Sequence, residues 1–234
     1  MIMAILAGGL ATRLGTLTQA VPKSMLPVAG EPFIGHQLRL LARNGFDKVH
    51  ICLGHLGSMV SDYVGDGSMF GVSVTYSSEG ERLLGTAGAL ALARNMLGDR
   101  FGVMYGDSYL PVSYDIIGKR FQDSSCAGMM TVWHNFGKLD RSNVIVSNDR
   151  VCYYSASAED RTQCEWIDYG LSFLRSEVLA DLPTDRATPL SHIWQQLVAR
   201  AELEACPVEG RFYEIGSLQG YEELKRLAEQ KEMP

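Results

Sequence analysis

The sequence predicts an α/β protein with three layers, helix on sheet on helix, around a mixed, mostly parallel central sheet. Three observations predict it. Short apolar runs alternate with stretches whose apolar residues recur at helical spacing. Several of those runs stop at glycine, as Ile5-Leu6-Ala7 does at Gly8-Gly9. The 234 residues are 46% hydrophobic and 21% charged, ordinary globular proportions that suffice for a single domain, expected to span 1–234.

Each element follows from its local pattern. The apolar run 1–7 has no basic flank ahead of it and leads straight into the glycine pair, so it reads as a buried strand and not as a leader peptide. Glu31-Pro32 opens a helix with Ile34, Leu38 and Leu41 on one face and Gly45 as its stop. Residues 48–53 alternate as a second strand, 58–64 form a short helix ended by Gly65-Asp66-Gly67, and 72–76 alternate as a third strand. This order is that of an open, largely parallel sheet with helices on both faces, which binds ligands at the carboxyl ends of its strands. A helix bearing Leu90, Ala93 and Leu97 follows, then a compact strand at 101–105 that ends in Gly106-Asp107-Ser108. Residues 112–121 are expected to be helical, and 128–134, 143–146 and 151–154 to be strands, with a turn at Asn148-Asp149 and a polar surface loop over 156–165. Residues 167–173 alternate as a further strand, and Thr188-Pro189 caps a helix carrying Leu190, Ile193 and Leu197. Residues 203–208 and 211–215 read as the last strands; Tyr221, Leu224 and Ala228 mark a final helix, acidic early and basic late, as the helix dipole favours.

The stretch between Ile5 and Pro27 carries the chemistry. An apolar run ends at Gly8-Gly9, Arg13 follows, and Lys23 sits between Pro22 and Pro27. A strand anchors such a loop, glycine lets the backbone approach a phosphate, and fixed cations neutralise it. A P-loop is excluded because no Gly-Lys-Ser/Thr tripeptide occurs, and the dinucleotide fingerprint because the glycine spacing differs. On pattern alone a tight turn accounts for the glycine pair equally well.

Composition excludes several classes. The formal net charge of -6 gives no basic field for nucleic acid, so anionic substrates must be met by local cations such as Arg13 and Lys23. Five scattered cysteines without Cys-x-x-Cys spacing read as reduced thiols of a cytoplasmic protein. The five histidines form no close pair and read as surface or helix-end residues. No run is long and apolar enough for a membrane span, and a homo-oligomer is compatible with the sequence.

Two further sites are read from the residues themselves. The small residues Gly85, Ala87 and Gly88 at a helix start would let a flat base lie against backbone; a tight turn with Thr86 as N-cap explains them too. Asp107, an acid after glycine at the end of a parallel strand, suits one ligand of a magnesium ion shared with phosphate oxygens, or a plain turn.

The run Ala7-Gly8-Gly9-x-x-x-Arg13-Leu14, followed by Thr18, Pro22-Lys23 and Pro27-Val28, resembles the signature of the sugar-1-phosphate nucleotidyltransferases. The string from Leu84 to Ala89 is similar to that family's base-reading segment, in the wording of guanylyltransferases acting on mannose- or heptose-type phosphates. The resemblance implies a Rossmann-like fold, Mg²⁺ as cofactor, and a nucleoside triphosphate and a sugar 1-phosphate as substrates, with no nucleic-acid or membrane partner. It implies Arg13, Lys23 and Asp107 as catalytic residues, and a nucleotide site at Leu6, Ala7, Gly8, Gly9, Glu79, Gly85, Thr86, Ala87 and Gly88. Asn143, Asp168, Tyr169 and Gly170 are the implied sugar site, core packing being the alternative for Tyr169. Asp107 and Glu214 are the implied metal ligands, with Glu214 standing where the family carries aspartate. The family also carries a second lysine shortly before the sugar-binding strand; residues 153–161 contain none, and Arg161 is the nearby cation. That gap leaves a competing expectation, a nucleotide or nucleotide-sugar binding protein with impaired catalysis. A glycosyltransferase is disfavoured, since Gly106-Asp107-Ser108-Tyr109 is no Asp-x-Asp motif.

Overall fold

The computed structural model describes residues 1–9, 20–80, 82–137, 142–156, 163–183 and 186–230. β1 (Ile2–Ala7) is followed by a small hairpin, β2 (Pro27–Val28) and β3 (Glu31–Pro32), then α1 (Phe33–Arg43), β4 (Lys48–Leu53), α2 (Gly57–Val64), β5 (Ser73–Ser78), α3 (Gly85–Leu97) and β6 (Arg100–Tyr105). The later part runs β7 (Ser108–Tyr109), α4 (Tyr114–Asp123), β8 (Gly128–His134), β9 (Val144–Ser147), β10 (Arg150–Tyr154), β11 (Trp166–Arg175), α5 (Leu190–Ala199), β12 (Leu203–Pro207), β13 (Tyr213–Glu214) and α6 (Leu218–Glu229).

Among the described residues, nine strands form one sheet in the order β5-β4-β1-β6-β11-β8-β12-β10-β9. The sheet is mixed, and its parallel pairing is concentrated on one side. β5, β4, β1 and β6 run parallel to one another. β11 then runs antiparallel to both β6 and β8, β12 returns parallel to β8, and β10 is antiparallel to β12 and β9.

Strand alternation sends side chains to two cores. From β1, Met3 and Ile5 join Phe33, Leu38 and Leu41 of α1, Val60 of α2, Phe121 of α4 and Leu224 of α6. Ala4 faces the other way, to Leu90 and Leu97 of α3 and Ile193, Trp194 and Leu197 of α5. Both faces are covered, which is why the parallel strands read as nearly continuous apolar runs.

Several local expectations are corrected. α3 starts at Gly85, and its early N–H groups are not capped by Thr86. The Thr188 carbonyl accepts them, from Ala87 at 2.9 Å and Gly88 at 3.2 Å, while Thr86 Oγ1 accepts the Leu190 N–H at 2.7 Å. The starts of α3 and α5 thus brace each other. α4 starts at Tyr114, whose N–H donates to Asn44 Oδ1 at 3.0 Å just past the end of α1. Of residues 211–215 only Tyr213–Glu214 is extended, and it leaves the main sheet to pair with β7. His50 is not at the surface: it is fully buried, bonded to Thr75 Oγ1 at 2.8 Å and Ser77 Oγ at 3.0 Å. Part of the polar loop expected over 156–165 lies outside the described residues.

Candidate active site

The carboxyl ends of β1, β4 and β6 come together because each strand gives way to glycine. A Cβ on Gly54 would lie 2.6 Å from the Gly8 oxygen and 2.7 Å from its Cα. A Cβ on Gly106 would lie 2.9 Å from the Leu6 oxygen, to which the Gly106 N–H donates at 2.9 Å. Backbone therefore packs on backbone where a larger residue would hold the strand ends apart.

Beyond these ends opens a cavity of about 300 Å³. It gathers residues from separate stretches: Leu6, Ala7, Gly8 and Gly9 after β1, Lys23, Glu79 after β5, Gly85 and Thr86 at the start of α3, and Asp107. Ser24, Cys52, Leu83, Ala89 and Tyr105 also line it and were not singled out from sequence. Gly54 was missed as well, although every one of these strand ends carries the same signal, an apolar run closed by glycine.

Charge in the cavity is organised around two acids and a cation. Lys23 Nζ donates to Asp107 Oδ2 at 3.0 Å, both groups being about a quarter exposed or less. Glu79 Oε2 accepts the Leu84 N–H at 2.5 Å, and its Oε1 lies near Gly8, where a Cβ would approach it to 3.1 Å. Burial raises the Glu79 carboxyl above its ordinary range, and the Leu84 N–H pulls it part of the way back. Cys52 is inert packing: burial pushes its thiol up to about 12.

Glu214 is carried to Asp107 by the β13–β7 pairing, in which Glu214 stands opposite Ser108 and the Ile215 N–H donates to the Asp107 carbonyl at 2.8 Å. The two carboxylates face one small volume. A Cβ on Gly216 would fill it, 2.8 Å from Glu214 Oε2 and 3.1 Å from Asp107 Oδ2. Ser217 donates to Glu214 Oε1 at 3.0 Å while its own oxygen accepts the Gly220 N–H, so the N-cap of α6 orients this acid. Among the described residues no group of three or more potential ligands converges. Two hard oxygen donors on a glycine-cleared space fit a magnesium ion that takes its remaining oxygens from phosphate and water.

Not every sequence-predicted residue reaches the cavity. Ala87 and Gly88 are buried within α3 on the side crossed by Thr188, so their small size serves helix packing. Arg13 and Arg161 lie outside the described residues. Asp168 and Asn143 are joined, the Asp168 N–H donating to Asn143 Oδ1 at 3.0 Å. Asp168 and Gly170 line a crevice shared with Tyr105 and Trp194, and the Gly170 N–H donates to Asp168 Oδ1 at 3.0 Å. Burial pushes the Asp168 carboxyl up to about 6 against that bond. Tyr105 lines both spaces, and the Asp168 and Asp107 charges both bear on it, so the crevice adjoins the cavity. Tyr169, on the other face of β11, is 2% exposed and packs edge-on against Phe212 with ring centroids 5.7 Å apart. Alternation along the strand turns it away from Asp168 and Gly170.

Known proteins resemble this chain in sequence and in fold. Residues 2–141 match the model of the family described as nucleotidyl transferase. The N-acetylmuramate α-1-phosphate uridylyltransferase of Neisseria meningitidis is 40% identical over 111 residues, 47% of this chain and 48% of that protein. The D-glycero-α-D-manno-heptose 1-phosphate guanylyltransferase of Campylobacter jejuni is 22% identical over 222 residues, 93% of this chain and 95% of that one. The chain spans about half the length of that Neisseria protein, and about half that of a UTP–glucose-1-phosphate uridylyltransferase of Synechocystis to which it is 27% identical over 195 residues. A crystal structure of a putative glucose-1-phosphate thymidylyltransferase from Bacillus anthracis superposes with a TM-score of 0.86 at 22% identity, covering 97% of this chain and 95% of that one. At that identity the likeness shows a shared fold.

Proposed function

The chain belongs to the nucleotidyl transferase family, and from that premise we propose that it transfers a nucleotidyl group from a nucleoside triphosphate to a sugar 1-phosphate, releasing pyrophosphate. The observation that carries this reading is the single cavity in which the Gly8-Gly9 backbone, Lys23, Glu79 and Asp107 meet at the ends of parallel strands. A sugar-phosphate oxygen attacks the α-phosphorus in line, one P–O bond forms, and the bond to the leaving pyrophosphate breaks. The attacking oxygen is already anionic at neutral pH, so alignment and charge cancellation replace a general base.

In this reading Gly8 and Gly9 let the phosphates approach the backbone, and Arg13 is assigned to the leaving pyrophosphate from sequence alone. Lys23 lies where the two substrates meet. Leu6, Ala7, Glu79, Gly85 and Thr86 hold the nucleoside, and Asn143, Asp168 and Gly170 accept the sugar. Asp107 and Glu214 would hold Mg²⁺, which when bound withdraws charge from the phosphate oxygens. We read residues 1–234 as one catalytic domain and place the protein in the cytoplasm, where its substrates are.

The base and sugar are set by experiment. Purified protein is incubated with GTP, UTP, dTTP, CTP or ATP against mannose, heptose, glucose and N-acetylmuramate 1-phosphates, and pyrophosphate is measured. The wording of Leu84 to Ala89 favours GTP with a mannose- or heptose-type phosphate. Pyrophosphate above background in at least one pair is expected; silence throughout, with nucleotide still bound in a calorimetric titration, supports a binding protein instead.

A further inference from the structure

Gln37 lies on α1, outside the lining of the cavity, and is fully buried. Its amide nitrogen donates twice, to the Tyr105 carbonyl at 2.9 Å and to the Ser108 carbonyl at 2.7 Å. Those two carbonyls bracket Gly106-Asp107, the turn that displays the acid paired with Lys23. Two carbonyl oxygens within reach leave no choice in the orientation of the amide, since only its nitrogen can donate. Its oxygen, turned the other way, finds no partner among the described residues.

A buried amide with an unpaired oxygen is costly in an apolar helix face. Leu38 and Leu41, its neighbours on α1, show what core packing alone selects there. The cost is matched by what the nitrogen does. The Asp107 turn is held by β1 through the Gly106 N–H to the Leu6 carbonyl, and by Ile215, directly after β13, whose N–H donates to the Asp107 carbonyl. Gln37 adds a hold from α1, closing both sides of the turn at once.

We propose that Gln37 is a positioning residue: by clamping the carbonyls of Tyr105 and Ser108 it fixes the Asp107 carboxylate toward the volume it shares with Glu214, and so sets divalent-cation affinity and kcat. This rests on the nucleotidyltransferase reading of the site. Gln37→Met preserves length and approximate volume while removing both donors. Leu41→Ala on the same helix serves as a packing control.

Mn²⁺ is titrated into the full-length protein and its variants, with unbound Mn²⁺ followed by electron paramagnetic resonance, and kcat and KM are measured on the active substrate pair. Gln37→Met is expected to weaken Mn²⁺ binding and lower kcat by about 10-fold or more, with the nucleoside triphosphate KM within about 2-fold. Leu41→Ala is expected to lower the melting temperature and leave Mn²⁺ affinity intact. Should Gln37→Met not fold, Gln37→Glu, which sets a carboxylate against the two carbonyls, is read in the same way and is expected to lose Mn²⁺ affinity. Unchanged Mn²⁺ affinity in a folded Gln37 variant overturns the proposal, as does equal loss in Leu41→Ala, or failure of both Gln37 variants to fold while Leu41→Ala folds. A wild-type protein that neither binds Mn²⁺ nor releases pyrophosphate defeats the reading of the site instead.

Discussion

Where β1, β4 and β6 end, the chain presents glycine backbone, Lys23 and Asp107 to an open cavity of about 300 Å³; where β11 passes Asp168, it presents one carboxylate in a narrow crevice beside Tyr105 and Trp194. The difference follows from strand direction. Parallel neighbours all end on the same edge, so their loops converge and can share one ligand. β11 is antiparallel to β6 and β8, so the strand runs past the site, and only alternate side chains along it face that way. The parallel half works by backbone and charge at loop ends, the other half by side chains fixed within a strand.

The largest test of this contrast is Asp107→Asn, which keeps volume and removes the charge that Lys23 meets and a cation would require. Turnover should fall about 10²- to 10³-fold with an unchanged circular dichroism spectrum. A loss below tenfold would remove Asp107 from the proposed machinery.

Gly54→Ala attacks the parallel half through its backbone. The new Cβ would stand 2.6 Å from the Gly8 oxygen, so one strand end has to move. We expect a loss of about 1–3 kcal/mol in stability by denaturant titration and a raised nucleoside triphosphate KM. At Gly9 an added Cβ meets no described residue within 4 Å, so Gly9→Ala should unfold within about 0.5 kcal/mol of wild type. Equal stability losses in the two variants would mean that close approach is not why glycine ends these strands.

The same contrast explains what the sequence made legible. In the parallel half each element announces itself: an apolar run, a glycine, then a helix with a 3.6-residue period. Gly8, Lys23 and Asp107 carry local signals, Glu79 follows only from the family resemblance, and all four share one cavity. Contacts set by distant chain were not legible. Nothing near Gln37 announces two carbonyls at Tyr105 and Ser108, and nothing near Gly88 announces the Thr188 carbonyl. The pairing of Tyr213–Glu214 with β7, which brings Glu214 to Asp107, depends on a two-residue strand, too short for a periodic pattern to mark.

Asp168→Asn probes the other half with a smaller effect. Burial raises the Asp168 carboxyl from 3.8 to about 6, so the folded state holds this proton more tightly than the unfolded chain does. The wild type therefore keeps this contribution below pH 3.8 and loses it as pH rises through about 6. The amide still accepts the Gly170 N–H and carries no charge. Asp168→Asn should match wild type near pH 4 and exceed it by about 1–2 kcal/mol at pH 7.5, partial exposure screening the rest. Parallel stability–pH curves for the two proteins would contradict the buried-carboxylate account. A raised sugar-phosphate KM in the same variant would tie the crevice to the sugar.

Tyr169→Phe should do least, and its smallness is informative because Tyr169 is next to Asp168 in sequence. Its ring belongs to the core with Leu171 and Phe173, and its hydroxyl is buried with no hydrogen-bond partner among the described residues. Burial also drives that hydroxyl strongly toward its neutral form. Phenylalanine keeps the ring against Phe212 and removes an unpaired polar group, so stability should change by less than about 1 kcal/mol, in the direction of gain. Both substrate KM values should stay within about 2-fold, as expected of a side chain that reaches neither substrate. A KM rise for the sugar phosphate alone would return Tyr169 to the sugar site and require β11 to twist there when substrate binds. Unchanged kinetics would leave Asp168 and Gly170 as the face of β11 turned to the substrates, with Tyr169 as the packing that holds that face in place.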